Sequence, residues 1–180
     1  MTLNDITVGA LDRLDRGHDA QTLEMWRDKL TMFANDALTD LAHAIKPVRT
    51  EKALISLDGT IDANAFERDC IGIVSITADG RDVPFVECGT SGVFKVKAEG
   101  SVAVTYAYVP KRLSSPSDVP ELPERFHPLI VIYVVARERM SGDISTQKGF
   151  AAHMRLYETM KAEMLKKSGS ADAYGFINRW

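Results

Sequence analysis

Between Leu23 and Ile45, apolar side chains return at steps of three and four: Leu23, Trp26, Leu30, Phe33, Ala34, Ala37, Leu38, Leu41 and Ile45. That is the period of an α-helix; a strand, alternating at every second residue, cannot gather this set on one side. The pattern predicts a helix from about Gln21 to Ile45, with one apolar stripe and a stop at Pro47. A stripe of that length has to be covered, so the chain must build a helix-packed core, with Trp26, Leu30, Phe33 and Leu38 among its members. A shorter helix from Leu3 to Leu14, ended by Arg16-Gly17, precedes it.

The texture changes after Thr50. Residues such as Ile71, Ile73, Val74, Val83, Phe85, Val93, Phe94, Val102, Val104, Tyr106 and Tyr108 supply β-branched and aromatic side chains. Turn signals interrupt them at Asp58-Gly59, Asp79-Gly80, Gly89-Thr90-Ser91-Gly92 and Glu99-Gly100. Strands are predicted over 52–57, 70–78, 82–88, 92–97 and 101–109. In the last, Val102, Val104, Tyr106 and Tyr108 face one way. Hairpin-length spacings favour an antiparallel meander.

Residues 111–123 hold Ser114, Ser115, Pro116, Ser117, Pro120 and Pro123 and read as an extended linker. Pro128 belongs near the first turn of a helix running to about Met140. Ser141-Gly142-Asp143 breaks the chain. A final helix from about Ser145 to Lys167 sets Phe150, Met154, Tyr157, Met160, Met164 and Leu165 on one side.

The fold class is therefore α+β. An N-terminal helical hairpin (1–49) and a C-terminal one (124–167) form a small bundle. An antiparallel meander or sandwich-like subdomain (50–110) is inserted between them, the linker covers 111–123, and a tail covers 168–180. With 180 residues the chain can bury such a core without disulfides. Its two cysteines, Cys70 and Cys88, read as small strand residues in a reducing compartment.

Net charge is −3, unsuited to tight non-specific binding of nucleic acid. The charge is uneven: residues 51–110 carry nine acidic and five basic groups, residues 124–167 eight basic and five acidic. No run approaches the roughly 18 apolar residues of a membrane span; the longest, Pro128 to Ala136, stops at Arg137. The first residues, Met1-Thr2-Leu3-Asn4-Asp5, do not read as a signal peptide.

No catalytic constellation emerges. His18, His43, His127 and His153 fall in different elements without the spacing of a metal site or a base and its partner. Phosphate loops, dinucleotide fingerprints and nucleophile elbows are missing, and no cofactor is expected. Asp12, Asp15 and Asp19 read as a solvated helix face, and Lys111, Arg112 and Arg125 as surface cations. The tail stands apart. After Ser168-Gly169-Ser170 it gathers Tyr174, Phe176, Ile177 and Trp180, which disordered segments usually lack. Such residues ask to be buried, in the chain's own bundle or in another subunit.

One stretch has a familiar order. Thr105-Tyr106-Ala107-Tyr108-Val109-Pro110, the proline-rich linker, Leu122-Pro123-Glu124-Arg125-Phe126-His127-Pro128-Leu129-Ile130-Val131, then Tyr133 and Ala136-Arg137, resemble the head–tail adaptor (connector, neck) proteins of tailed bacteriophages. Tyr157 and Met160 sit near the pattern of that family's second helix, and Trp26, Leu30, Asn35, Ala37, Leu38 and Leu41 near that of its N-terminal helix. The resemblance runs from about residue 20 to 167, in apolar and turn residues.

It implies a non-enzymatic virion protein, assembled in the host cytoplasm and placed at the virion neck. A homo-oligomeric ring, commonly twelve-fold, would bind the portal protein on one side and a tail or nozzle protein on the other, with DNA passing through its lumen unbound. Trp26, Leu30, Phe33, Leu38, Tyr133 and Tyr157 would build the ring wall, and Tyr174, Gly175, Phe176, Ile177 and Trp180 would dock on the portal. A tail-completion or terminator subunit, a small hydrolase with a non-standard site, and an accessory nucleic-acid-binding module stay open as alternatives.

Overall fold

Thr2 and Asp5 start the first helix by capping each other: the Thr2 amide donates to Asp5 Oδ2 at 2.8 Å and the Asp5 amide to Thr2 Oγ1 at 3.2 Å. This reciprocal box satisfies two amides that the first turn of α1 (Leu3–Arg13) would leave unpaired. The structure, a computed structural model, describes residues 1–89, 92–140 and 144–169. The protein is α+β, and its chain divides into two compact units: residues 1–44 with 112 onward, and residues 45–111.

In the first unit, α2 (Ala20–Ile45) follows α1, then α3 (His127–Met140) and α4 (Ile144–Gly169). Asp19 Oδ1 opens α2 by accepting from the amides of Gln21 (3.0 Å) and Thr22 (3.1 Å). Asp19 is exposed, as a solvated charge should be, and it also serves as the helix cap. The expected stripe is buried at Leu30, Phe33, Ala34, Ala37, Leu38 and Leu41, whereas Trp26, nearer the start, is half-buried. Lys46, at φ 53°, turns the chain out of the helix ahead of Pro47.

Helix α3 is buried around most of its circumference, from Leu129 through Ala136, which makes it the central helix of this unit. α1 packs on α3, and so does α4. The packing of α3 with α4 is tight at Gly149, where a Cβ would lie 3.1 Å from the Arg139 side chain. An N-terminal hairpin of α1 with α2 was the expectation, yet the close helix neighbour of α1 is α3. Residues 111–123 form neither helix nor strand, and they are tied to the helical unit. Leu113 and Leu122 are buried, and the amides of Leu3 and Asn4 donate to the carbonyls of Asp118 (2.8 Å) and Pro116 (2.9 Å).

Among the described residues, the second unit holds seven strands: β1 (Val48–Leu54), β2 (Thr60–Asp62), β3 (Cys70–Ala78), β4 (Arg81–Asp82), β5 (Phe85–Glu87), β6 (Val93–Val96) and β7 (Ser101–Tyr108). All pair antiparallel, in two sheets ordered β1-β7-β3-β4 and β2-β6-β5. That order departs from a simple meander, because the first strand pairs with the last, Val48 opposite Ala107 through Leu54 opposite Ser101. Both sheets feed one core: Ile61 and Val96 from one, Ile76, Val102, Val104 and Tyr106 from the other. The strand expected at 52–57 sits earlier because Pro47 delivers the chain straight into pairing, and Ser56 to Gly59 form a turn. Pro84 divides the strand expected over 82–88, since its nitrogen has no hydrogen to give a ladder. Asp79 (φ 49°) and Gly80 (φ 75°) make the left-handed two-residue turn that joins β3 to β4.

Candidate interaction surfaces

The groups most able to do chemistry lie apart. His18 pairs with Asp12 at 3.0 Å on the surface, and His43 is exposed. His127 is buried and donates from Nε2 to the Leu122 carbonyl at 2.9 Å, which pins the Leu122–Pro128 stretch where α3 begins. His153 donates from Nδ1 to the Gly149 carbonyl at 2.8 Å within α4. Among the described residues, no three histidines, cysteines or carboxylates come together as a metal site would need. Both cysteines are free, and burial pushes the Cys70 thiol up, further from the reactive thiolate.

Three buried polar arrangements hold the helical unit. The nearly buried Glu138 of α3 binds Arg16 at 3.1 Å and Lys29 at 2.6 Å, and both cations lie over the Trp26 ring, 3.7 and 5.2 Å from its centre. Trp26 is therefore a stacking platform for the cations that neutralise Glu138. Tyr157 of α4, fully buried, donates to Asp40 of α2, where Lys161 also donates at 2.9 Å. Burial first, then the hydrogen bond to Asp40, raises the Tyr157 hydroxyl far above the ordinary phenol value, so it is always a donor here. Its ring meets Tyr133 edge-on, with centres 5.1 Å apart. Asn35 of α2 closes a two-way bridge to the irregular segment, giving Nδ2–H to the Leu113 carbonyl (2.9 Å) and accepting the Leu113 amide (2.7 Å).

Elsewhere, Tyr106 of β7 is buried and donates to Glu51 Oε2 at 2.7 Å; burial and that bond push its hydroxyl up to about 12. Tyr106, His127 and Tyr157 thus act as structural fasteners. The SU10 adaptor protein family matches residues 89–179, just over half of the chain. The chain belongs to the SU10 adaptor family. Among curated proteins, none matches it. It is accordingly a phage adaptor protein.

Of the adaptor's expected wall residues, Leu30, Phe33, Leu38 and Tyr157 are buried and Trp26 and Tyr133 are half-buried. The tail residues Tyr174, Gly175, Phe176, Ile177 and Trp180 lie outside the described residues. Two exposed apolar features went unforeseen. On α2, Met25 is 69% and Met32 47% exposed, on the side away from the buried stripe. In the strand unit, Leu54 is 79% exposed and Leu57 fully so. Leu57 rides a stiff turn: the Gly59 amide donates to the Ser56 carbonyl (2.9 Å), and the Ser56 and Thr60 hydroxyls donate to Asp58 Oδ1 (2.5 and 2.7 Å). Beside it lies a cleft of about 980 Å³ whose lining includes Leu54, Ile61, Ala65 and Phe66. The available signal for Leu57 was a large apolar residue placed directly before the Asp58-Gly59 turn.

Among the described residues, no helix is long and apolar enough to cross a membrane.

Proposed function

We propose that this adaptor forms a ring of identical copies, twelve in number, between the portal and a tail or nozzle protein of the virion neck, with the genome passing through its lumen. The match of residues 89–179 to an adaptor family carries this reading. The physical character of the chain supports it. Buried polar side chains such as Glu138 and Tyr157 hold its helices together, and its surface includes exposed large apolar residues suited to partners. Around a closed ring each copy presents one face to the next and a different face to the previous one. A net charge of −3 suits a lumen through which phosphates must slide.

In this reading the aromatic tail docks on the portal: Tyr174, Phe176, Ile177 and Trp180 offer about 1.5–3 kcal/mol each on burial, repeated in every copy. No bond is made or broken. The test is to mix the purified chain with its cognate portal protein and image the product by electron microscopy. The full chain should decorate portal rings, and a chain ending at Lys167 should stay folded yet fail to decorate them. Decoration by the truncated chain would refute tail docking, and no decoration by the full chain would refute the adaptor ring.

A further inference from the structure

Helix α2 turns a second stripe outward, made of Met25, Asp28 and Met32 at steps of three and four. All three are exposed, so two large apolar side chains flank a carboxylate that enters no ion pair among the described residues. Helix α4 turns outward a stripe of opposite charge. Ala152, Arg155 and Leu156 are exposed there, Leu156 at 48%, and Arg155 likewise enters no ion pair among the described residues.

Each stripe lacks what the other carries. Methionine is the side chain best able to mould itself to an irregular apolar neighbour, and Ala152 leaves room for it beside Leu156. Asp28 and Arg155 are each central in their stripe, so apolar contact on either side would shield their attraction from water and salt. The two stripes lie on different helices of the same unit, both directed away from its core, and hence cannot satisfy each other within one copy. Two copies meeting through them join a donor face to an acceptor face, which is the relation that lets contacts propagate until a ring closes.

We propose that α2 of one copy lies along α4 of the next, with Met25 and Met32 against Ala152 and Leu156 and Asp28 paired with Arg155. The contact rests on the ring reading above and names the surface by which neighbouring copies join. The second copy is the occupant because the matching charge and apolar pattern are both present on this chain.

Charge reversal tests it with a rescue that no portal contact would give. Asp28→Arg sets two cations against each other at every junction, and Arg155→Asp sets two carboxylates against each other. Each variant alone should lose assembly on the cognate portal by about tenfold or more while melting as the parent does. Mixed in equal amounts, the two variants can alternate around the ring. Every junction then joins unlike charges: the two substituted positions face each other at one, and native Asp28 faces native Arg155 at the next. The mixture, and the double variant alone, should assemble within about threefold of the parent. Single variants that assemble like the parent would overturn this contact and leave the ring reading standing. Single variants that fail while their mixture also fails would overturn it too. A parent that never assembles with the portal would overturn both.

Discussion

Tyr157 of α4 donates its phenolic hydrogen to Asp40 of α2, and Lys161 holds the same carboxylate oxygen at 2.9 Å. The two long helices, 117 positions apart at this contact, are thereby tied through one acceptor. Tyr157→Phe removes the hydroxyl but keeps the ring and its edge-on contact with Tyr133. Lys161 remains to compensate Asp40, so the loss is that of one hydrogen bond to a charged group, about 1.5–3 kcal/mol. Tyr157→Ala adds a cavity and should cost about 3–5 kcal/mol. Denaturant melts should give that order, and a Phe variant as stable as the parent would show that the bond carries no net stability.

Trp26 should be worth less than a fully buried core residue. It is half-buried, and its ring supports Arg16 and Lys29, whose charges are matched by Glu138. Trp26→Ala should cost about 1–2 kcal/mol. Glu138→Gln should cost about 1–3 kcal/mol, since both cations are about one-third exposed and can turn to water. In a double-mutant cycle the two should couple by about 0.5–1 kcal/mol, because each change weakens the same network. Strict additivity would mean that the stacked cations and the ring act independently.

The helices were legible because periodicity is a local signal. Leu30, Phe33 and Leu38 repeat at helical steps, and Pro128 marks the start of α3. The antiparallel strands were legible for the same reason, but their order was not. The pairing of β1 with β7 joins Val48 to Ala107 across 59 positions, and nothing in either segment's own pattern names its partner. Polar residues inside apolar patterns were read least well. Glu138 interrupts an apolar helix and Asn35 an apolar stripe, and each proves to bind a partner distant in sequence. Asp19 is the surface charge it looked like, but its capping role was missed because a cap depends on backbone amides, which composition does not reveal. The exposed Met25 and Leu57 are large apolar residues that the chain's own fold does not cover, and local periodicity cannot foretell which apolar residues stay uncovered.

Acid should loosen the turn that presents Leu57. Hydrogen bonds from the Ser56 and Thr60 hydroxyls hold the Asp58 carboxyl below the ordinary aspartate value of 3.8. With the folded value depressed, the stabilisation is fully present above 3.8 and is lost as pH falls through the lowered value. Asp58→Asn lacks this titration. The melting temperature of the parent should therefore exceed that of the variant near neutral pH, and the gap should shrink below 3.8. A gap that stays constant on acidification would show that the Asp58 charge does not stabilise the turn.

Asn35 tests whether the irregular segment is a linker or a fixed part of the helical unit. Its carboxamide satisfies both backbone groups of Leu113, and Leu113 itself is buried, so water cannot readily take over either bond. Asn35→Leu fits the apolar stripe better by composition, yet it strands a buried amide and a buried carbonyl, at about 2–4 kcal/mol for the pair. Asn35→Asp keeps the acceptor for the Leu113 amide and loses the donor to its carbonyl, so its cost should fall between the parent and the Leu variant. Hydrogen exchange separates this account from a general loss of packing. The Leu113 amide should lose protection in Asn35→Leu and keep most of it in Asn35→Asp, while the amides at the middle of α3 change only with global stability. Equal protection of Leu113 in both variants would mean that the segment is held by its apolar side chains alone, and the bridge from α2 would lose its part in the fold.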